Sequence, residues 1–386
     1  APTRPEPFRA GGEVERGLEL RVEAVPVASQ GVLRHPLGLE ALDCAQAELR
    51  ERAAEVALEL PPRGRSEGRG PPQQIWKLVH SHEVADEDRA GEPLGERPEI
   101  QDAISVFDRW VEQHIAHRHL PGLSIAVVYD QEVVWSKGYG FSDLTTEAPA
   151  TPSTVYRIGS ITKLFTSTAI LQLRDAGELR LDDPVSLYLP WFAIPNPFPD
   201  APEITIRQLL THTSGLAREA DVPYWTDHVF PNREELAEVV RGQDALNPPE
   251  TIYQYSNLGM SLLGGIVTEV SGQPWADSVQ EKILQPLGMS SSSTDPGQKL
   301  LSRLATAYML EDARGNRAVM DYYEAGAIAP AGGIVSTVED LGRFASLQFR
   351  DGPAGGEQIL KGSTLREMHR PHWVYPSFTG GMGLGF

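Results

Sequence analysis

The spacing of apolar residues predicts a compact folded region from about Glu99 onward. Apolar side chains recur at helical intervals over Ile104–His117, which predicts an amphipathic helix. Two β-rich runs follow, Leu123–Tyr129 and Val133–Lys137. The short polar segment between these runs, Asp130–Glu132, predicts a turn, so the two strands should form a hairpin.

Several later segments carry residues that typically begin and end helices. Thr205 precedes a short apolar run as an N-cap, and Asn257 precedes a long apolar run that Gly272 ends. Ser336 and Glu339 have the spacing of a capping box. Because strands come first and helices dominate afterwards, the pattern predicts an α+β fold in which an antiparallel sheet lies beside a helical cluster.

The N-terminal quarter of the chain differs in composition from the rest. Residues 61–74 and 87–99 are rich in proline, glycine and charge, so they bury too little apolar surface to offset the entropy of ordering. Within this region, Leu39–Leu60 has the periodicity of a helix. We predict a poorly structured extension over 1–98 and a folded domain over 99–386, with a separately folded N-terminal domain as the alternative.

The composition of the chain limits which partners it is expected to bind and excludes some kinds of disulfide and metal site. The chain has 34 basic and 53 acidic side chains and a formal charge of −19, so we expect neither nucleic acid nor an anionic membrane as a partner. The single cysteine, Cys44, excludes an internal disulfide framework and a cysteine-rich metal site. No run approaches the roughly 18–20 apolar residues of a transmembrane helix. This composition suits a soluble protein, and the periplasm, the exterior and the cytoplasm all remain open as its compartment.

A serine and a lysine stand three residues apart where a strongly apolar helix is predicted to begin. Ser160 follows the segment "RIG", and Lys163 lies one turn further on the same face. A buried ammonium group is costly, and burial lowers its proton affinity, so a neighbouring amine can activate a hydroxyl as a nucleophile. The helix N-terminus adds a backbone N–H for a developing oxyanion. The alternative is a helix cap followed by a surface lysine.

A Tyr-x-Asn triplet precedes the second apolar helix. Tyr255 could take and return the proton of Ser160, and Asn257 could donate to a substrate carbonyl or hold Lys163 in place. The alternative interpretation is an ordinary Asn N-cap after a packed aromatic residue. Tyr253, four residues before the Asn, matches no motif.

Together, S-x-x-K and the later Y-x-N resemble the penicillin-recognising serine hydrolases, most of all class C β-lactamases, D-Ala-D-Ala peptidases and their esterase relatives. The stretches "PGLSIAVV", "ITIRQLLTHTSGL" and "AGGIVSTVEDLGRF" resemble the same family. The resemblance covers roughly Ile104–Phe386. It implies the β-lactamase/penicillin-binding transpeptidase-like fold.

The resemblance also implies roles for four residues. Ser160 would be the nucleophile of an acyl-enzyme, Lys163 its activating partner, Tyr255 the general base and leaving-group proton donor, and Asn257 a substrate-orienting amide. Whether Lys163 or Tyr255 takes the first proton stays open. The expected substrate is a small-molecule or peptide acyl compound, with esters and D-amino-acid peptides favoured over β-lactams. No metal or organic cofactor is implied, and the oligomeric state stays open.

Two features depart from simple catalytic patterns. The resemblance implies a structural role for His212, which belongs to "HTSG", and no G-x-S-x-G elbow supports a Ser-His-Asp triad.

The family's third motif, Lys or His followed by any residue and Gly, is not found. Phe378 precedes the Thr-Gly pair, and the glycine after Lys361 comes one place too early. We therefore expect the C-terminal strands of the fold to be missing and the chain alone to turn over weakly. A non-catalytic penicillin-binding or peptide-binding relative is the rival hypothesis.

Overall fold

The structure is a computed structural model that describes residues 93–129, 131–194, 197–352, 356–378 and 380–386. The predicted helix at Leu39–Leu60 and almost all of the predicted extension lie outside the described residues. The architecture given below therefore begins at Pro93.

Helices hold more of the described residues than strands do, and several of them pack around one buried helix, Thr162–Ala176. In chain order they are α1 (Pro98–Arg118), α2 (Thr162–Ala176), α3 (Val185–Tyr188), α4 (Ile206–Leu210), α5 (Tyr224–Asp227), α6 (Arg233–Arg241), α7 (Asn257–Ser271), α8 (Trp275–Val279), α9 (Gln298–Leu301), α10 (Ala329–Gly332), α11 (Val338–Gln348) and α12 (Gly362–His369). Single 3₁₀ turns lie at Leu94–Glu96, Gly159–Ile161 and Gly326–Ile328, and a π turn lies at Gln280–Leu284.

The strands form one antiparallel three-stranded sheet and three small antiparallel pairs. They are β1 (Gly122–Tyr129), β2 (Glu132–Asp143), β3 (Ala148–Pro149), β4 (Tyr156–Arg157), β5 (Ala307–Tyr308), β6 (Val319–Met320), β7 (Val335–Ser336), β8 (Trp373–Val374) and β9 (Gly381–Met382). The sheet has the order β1-β2-β3, and the pairs are β4 with β7, β5 with β6, and β8 with β9. Helices and antiparallel strands together confirm the predicted α+β class.

The two faces of the sheet are covered by different helices because side chains alternate along a strand. Leu123 and Ile125 of β1 pack with Val111 of α1 in one apolar cluster. Ala126, which follows Ile125 and points to the opposite face, packs against the main core. Val128 and α11 also lie close on that face, where the position of a Cβ at Gly342 would be 3.4 Å from the Val128 side chain.

The main core is centred on α2 and α7. Most residues of α2 are buried around its circumference, as the near-continuous apolar sequence predicts. Phe165 of α2 stacks on Phe344 of α11 with ring centroids 4.1 Å apart. Gly264 of α7 lies so close to α10 that a Cβ there would be 2.1 Å from Cγ of Pro330. This contact presses the short α10 against α2 and α7, beside the residues of interest.

Some element boundaries differ from the prediction. Helix α1 begins at Pro98, six residues earlier than predicted, because proline suits the first helical position. Strand β2 continues to Asp143 because it pairs with β3 as well as β1. The predicted capping box at Ser336 is wrong: the backbone of Ser336 pairs with Tyr156 in the β4–β7 ladder, and Thr337 caps α11 instead.

Within the described ranges, no helix combines the length and the apolar character that crossing a bilayer requires.

Candidate active site

Ser160 lies where a short strand pair leads into α2. Arg157 of β4 pairs with Val335 of β7, and the N–H of Ile158 donates to the carbonyl of Ile334 at 3.1 Å. Gly159 then adopts a φ of 51°, a left-handed conformation that glycine adopts without a Cβ penalty. The ladder therefore anchors the chain immediately before Ser160, which lies exposed in the 3₁₀ turn that runs into the helix.

Two polar side chains converge on the hydroxyl of Ser160. Nζ of Lys163 donates to Oγ of Ser160 at 3.0 Å, and the hydroxyl of Tyr255 donates to the same Oγ at 2.8 Å. Both distances lie within the range needed for proton transfer along a hydrogen bond. The hydroxyl, the amine and the phenol that the two motifs supply therefore meet at one point.

Lys163 is buried, with 5% of its surface exposed. Its Nζ also donates to the carbonyl of Ala331 in α10 at 2.6 Å. Burial lowers the pKa of Lys163 to about 7; the carboxylate of Glu219 opposes this shift, and the guanidinium of Arg218 adds to it. An amine with this pKa is present in both protonation states near neutral pH, as a proton carrier needs to be.

The ring of Tyr255 is held between charged and aromatic neighbours. Nζ of Lys163 lies 4.9 Å from the ring centroid, and Cζ of Arg218 lies 5.1 Å from it. The ring of His212 packs against it with centroids 4.7 Å apart. The Tyr255 ring therefore packs against the amine of Lys163, the guanidinium of Arg218 and the ring of His212 while its hydroxyl contacts Ser160.

His212 holds the Tyr255 segment through a backbone contact. It is 1% exposed, and its Nδ1 accepts a hydrogen bond from the N–H of Ser256 at 3.2 Å. Its φ of 56° places it in the left-handed region within the turn that follows α4. Tyr253 also packs edge-on against His212, with centroids 6.0 Å apart. These contacts support a structural role for His212.

Asn257 begins α7, whereas the sequence pattern suggested that it precedes that helix. Ser256 is the N-cap, and its Oγ accepts from the N–H of Gly259 at 2.8 Å. The side-chain amide of Asn257 donates to Oε1 of Glu219 at 2.6 Å. Oε2 of Glu219 accepts from the hydroxyl of Tyr224, also at 2.6 Å, and burial raises the pKa of that tyrosine. The position of the Asn257 amide is therefore fixed by the partly buried carboxylate of Glu219.

Sequence reasoning missed three groups that contact the site: the side chains of Arg218 and Glu219, and the carbonyl of Ala331. The charged pair directly follows the apolar end of "HTSGLA", and charges at the end of such a buried turn are a usable signal. No such signal exists for the Ala331 carbonyl, because a backbone acceptor carries no mark in the sequence. Its position depends on the packing of α10 against α7.

The residues considered for the third motif lie elsewhere. Phe378 lies in the turn between β8 and β9 and is 86% exposed. Lys361 precedes α12 as its N-cap residue and is exposed.

Comparisons with known proteins identify the family of the chain. A family model described as Beta-lactamase matches residues 107–386. Penicillin-binding protein 4 of Amycolatopsis lactamdurans is 34% identical over 269 residues, which cover 68% of this chain and 69% of that protein. Beta-lactamase-like protein 2 of Dictyostelium discoideum is 32% identical over 279 residues, covering 71% of this chain and 50% of that protein. The chain thus spans only about half the length of the second relative.

Solved structures share the fold. The octameric penicillin-binding protein homologue from Pyrococcus abyssi matches with a TM-score of 0.64 and 31% identity, covering 73% of this chain and 64% of that chain. The Beta-lactamase/D-alanine carboxypeptidase from Yersinia pestis matches with a TM-score of 0.60 and 25% identity, covering 72% of this chain and 76% of that chain. From the family model and these matches together, the chain belongs to the β-lactamase family and has the fold shared by its serine hydrolases and penicillin-binding proteins.

Proposed function

We propose that the chain is a serine hydrolase that forms an acyl-enzyme at Ser160. The observation that carries the proposal is the convergence of Lys163 Nζ and Tyr255 OH on Ser160 Oγ, at 3.0 and 2.8 Å. A hydroxyl is a weak nucleophile at its ordinary pKa and needs an adjacent proton acceptor to react with a carbonyl. This site supplies a buried amine and a phenol.

In the proposed reaction, Ser160 Oγ attacks the substrate carbonyl while its proton passes to the Lys163–Tyr255 pair. The carbonyl carbon then loses its leaving group, which takes the proton from Tyr255, and an ester between the acyl group and Ser160 remains. Water attacks this ester with the same groups acting in reverse, which releases the acid and restores the serine. Asn257, fixed by Glu219, orients the substrate.

Esters and D-amino-acid peptides are the proposed substrates, ahead of β-lactams. An activated ester needs only the nucleophile, its proton acceptor and a leaving-group donor, and all three are within hydrogen-bond distance here. The name of the Yersinia pestis relative combines β-lactamase with D-alanine carboxypeptidase, which supports the peptide as a second substrate class.

Hydrolysis of 4-nitrophenyl hexanoate by the chain and by matched variants tests the proposal. We expect Ser160→Ala to remove hydrolysis above background. Tyr255→Phe keeps the packed ring but removes the hydroxyl, so we expect it to lower the rate of acylation by about 10²- to 10⁴-fold. Tyr253→Phe is the control, because it keeps the ring that packs edge-on against His212 and Tyr375, and it should stay within twofold of the unaltered chain.

Labelling separates a hydrolase from the non-catalytic rival. A fluorescent penicillin that acylates Ser160 and is then released supports the hydrolase. Stable labelling without ester turnover indicates a penicillin-binding protein. Ester turnover that survives in Ser160→Ala contradicts the proposal.

A further inference from the structure

The side chain of Asn257 uses only one of its two polar groups within the protein. Its Nδ2 donates to Oε1 of Glu219 at 2.6 Å, and no donor of the described chain contacts its Oδ1. Asn257 is 7% exposed, and its Oδ1 is not fully buried among the described residues. An amide oxygen can accept two hydrogen bonds, so this atom is an acceptor that a ligand can use.

The carboxylate of Glu219 determines which end of the Asn257 amide faces it. An ionised carboxylate accepts hydrogen bonds and cannot donate one, so it attracts Nδ2 and repels Oδ1. Glu219 is itself held on both oxygens: Oε1 lies 3.5 Å from Nε of Arg218, and Oε2 accepts from the hydroxyl of Tyr224 at 2.6 Å. Tyr224 is fully buried, and its ring packs against Phe230 with centroids 5.1 Å apart. These contacts hold the carboxylate in place, and the orientation of the amide follows from it.

Asn257 borders the proposed proton relay. It follows Tyr255 by two residues, and the hydroxyl of Tyr255 donates to Ser160 at 2.8 Å. Burial lowers the pKa of Lys163 and the carboxylate of Glu219 opposes that shift, so the carboxylate that binds Asn257 lies near the amine. Within the described ranges, no hydrogen bond joins Lys163 to Asn257. The Asn257 oxygen therefore lies beside the relay without serving to hold Lys163.

We propose that Asn257 acts as a hydrogen-bond acceptor for the substrate, so that the site selects acyl compounds with an N–H near the scissile carbonyl. This inference rests on the proposed hydrolase function for its kinetic form, although binding alone also tests it. Oδ1 of Asn257 accepts the N–H, while Glu219 and Tyr224 act as positioning residues that hold the amide in this orientation. The sequence also allowed the opposite polarity, in which the amide donates to a substrate carbonyl, but Glu219 engages that nitrogen.

Two pairs of esters measure the preference, and the members of each pair differ by one N–H that a CH₂ group replaces. In the first pair, 4-nitrophenyl 3-(acetylamino)propanoate is compared with 4-nitrophenyl 5-oxohexanoate, so the donor lies in the acyl group. In the second pair, 3-(acetylamino)phenyl hexanoate is compared with 3-(2-oxopropyl)phenyl hexanoate, so the donor lies in the leaving group. For at least one pair we expect the KM of the N–H compound to be lower by about 2- to 10-fold, the net effect of a neutral hydrogen bond.

Glu219→Gln tests whether the carboxylate sets the orientation. The glutamine oxygen can keep the hydrogen bond from Tyr224, which turns its NH₂ group toward Asn257 and lets the Asn257 amide flip. We expect the preference for the N–H compound to disappear in this variant, whereas a general loss of packing would affect both members of a pair equally. The ratio within a pair also cancels any change in Lys163, because both members meet the same relay. Glu238→Gln, at an exposed position of α6, is the matched control and should keep the preference.

Calorimetric binding to Ser160→Ala makes the test independent of turnover. The N–H compound of at least one pair should bind more tightly than its CH₂ partner to Ser160→Ala. That difference should be lost when Asn257→Ala or Glu219→Gln is added.

Equal binding and equal KM within both pairs overturn the acceptor role of Asn257, as does a preference that persists in Asn257→Ala or Glu219→Gln. If the preference in binding is present but the unaltered chain hydrolyses no ester, the acceptor role stands and the proposed function fails. If hydrolysis depends on Ser160 but shows no preference within either pair, the proposed function stands and the acceptor role fails.

Discussion

Burial of the Lys163 amine lowers the stability of the fold, whereas the proposed reaction uses this amine. The side chain of Lys163 is 5% exposed, and its amine donates to the hydroxyl of Ser160 and to the carbonyl of Ala331. Removing an ammonium from water is unfavourable unless it is compensated, and a lowered proton affinity is the expected result. Groups whose pKa is shifted by burial are common at catalytic positions.

The pH dependence of acylation should report the pKa of Lys163. If the neutral amine accepts the proton, acylation rises with pH through about 7, where burial sets that pKa. The carboxylate of Glu219 raises the pKa of Lys163, so Glu219→Gln should move this limb of the profile to lower pH. Single-turnover rates with 4-nitrophenyl hexanoate from pH 5 to 9, for the unaltered chain and for Glu219→Gln, measure the two profiles. A flat profile across pH 7 contradicts the assignment.

Replacing Lys163 should stabilise the fold in a pH-dependent way. The pKa of Lys163 is about 7 in the folded chain and 10.5 as its ordinary value, so between these values the unfolded chain binds more protons and the stability of the unaltered chain rises with pH. The stability advantage of Lys163→Met should therefore be largest below pH 7. It should shrink by about 1.4 kcal/mol for each pH unit above 7.

Urea unfolding at pH 6.5, 8 and 9 measures this advantage. Lys282→Met, at an exposed lysine, provides the matched control and should show no such trend. An advantage of Lys163→Met that stays constant with pH would show that the amine keeps its ordinary proton affinity in the folded chain.

At the scale of elements, the contact between α7 and α10 positions the Ala331 carbonyl for Lys163. Gly264 and Gly265 are adjacent in α7 but face different neighbours. A Cβ at Gly264 would lie 2.1 Å from Pro330 Cγ, whereas one at Gly265 would lie 3.5 Å from the Leu189 side chain, an ordinary contact. Substitutions at these two glycines therefore distinguish the effect of packing from the effect of helix propensity.

Alanine at these two glycines should have opposite effects. Gly264→Ala should lower the free energy of unfolding by about 1–3 kcal/mol through overpacking against Pro330, and should slow ester hydrolysis by shifting α10. Gly265→Ala should be neutral or stabilising by up to about 1 kcal/mol, because alanine is the better helix former. Thermal unfolding and hydrolysis of both variants provide the comparison. Equal effects of the two substitutions would contradict the close approach of α10.

The sequence predicted elements best where one local pattern determined them. Thr205 caps α4 in a capping box with Gln208, and Gly272 ends α7 in the left-handed conformation, as their positions indicated. Ser336 misled the prediction because its capping signal competes with a strand pairing to a distant segment. The local pattern of apolar and polar residues carries no information on pairing with a strand that is distant in sequence.

At the scale of the whole molecule, the site joins segments that are remote in sequence. Ser160 and Lys163 come from the β4–α2 junction, Tyr255 from the segment just before α7, and the Ala331 carbonyl from α10. The two motifs singled out Ser160, Lys163 and Tyr255 because the proposed chemistry restricts their types, and their side chains lie in contact. The pair Arg218–Glu219 and the Ala331 carbonyl depended on tertiary packing, which neither spacing nor composition encodes.

The most direct test is the mass of the chain quenched during reaction with 4-nitrophenyl hexanoate at pH 8, followed by peptide mapping. The account predicts one hexanoyl group on the peptide that contains Ser160, and no such adduct in Ser160→Ala. An adduct on another residue, or hydrolysis that proceeds with no adduct on Ser160, would contradict it.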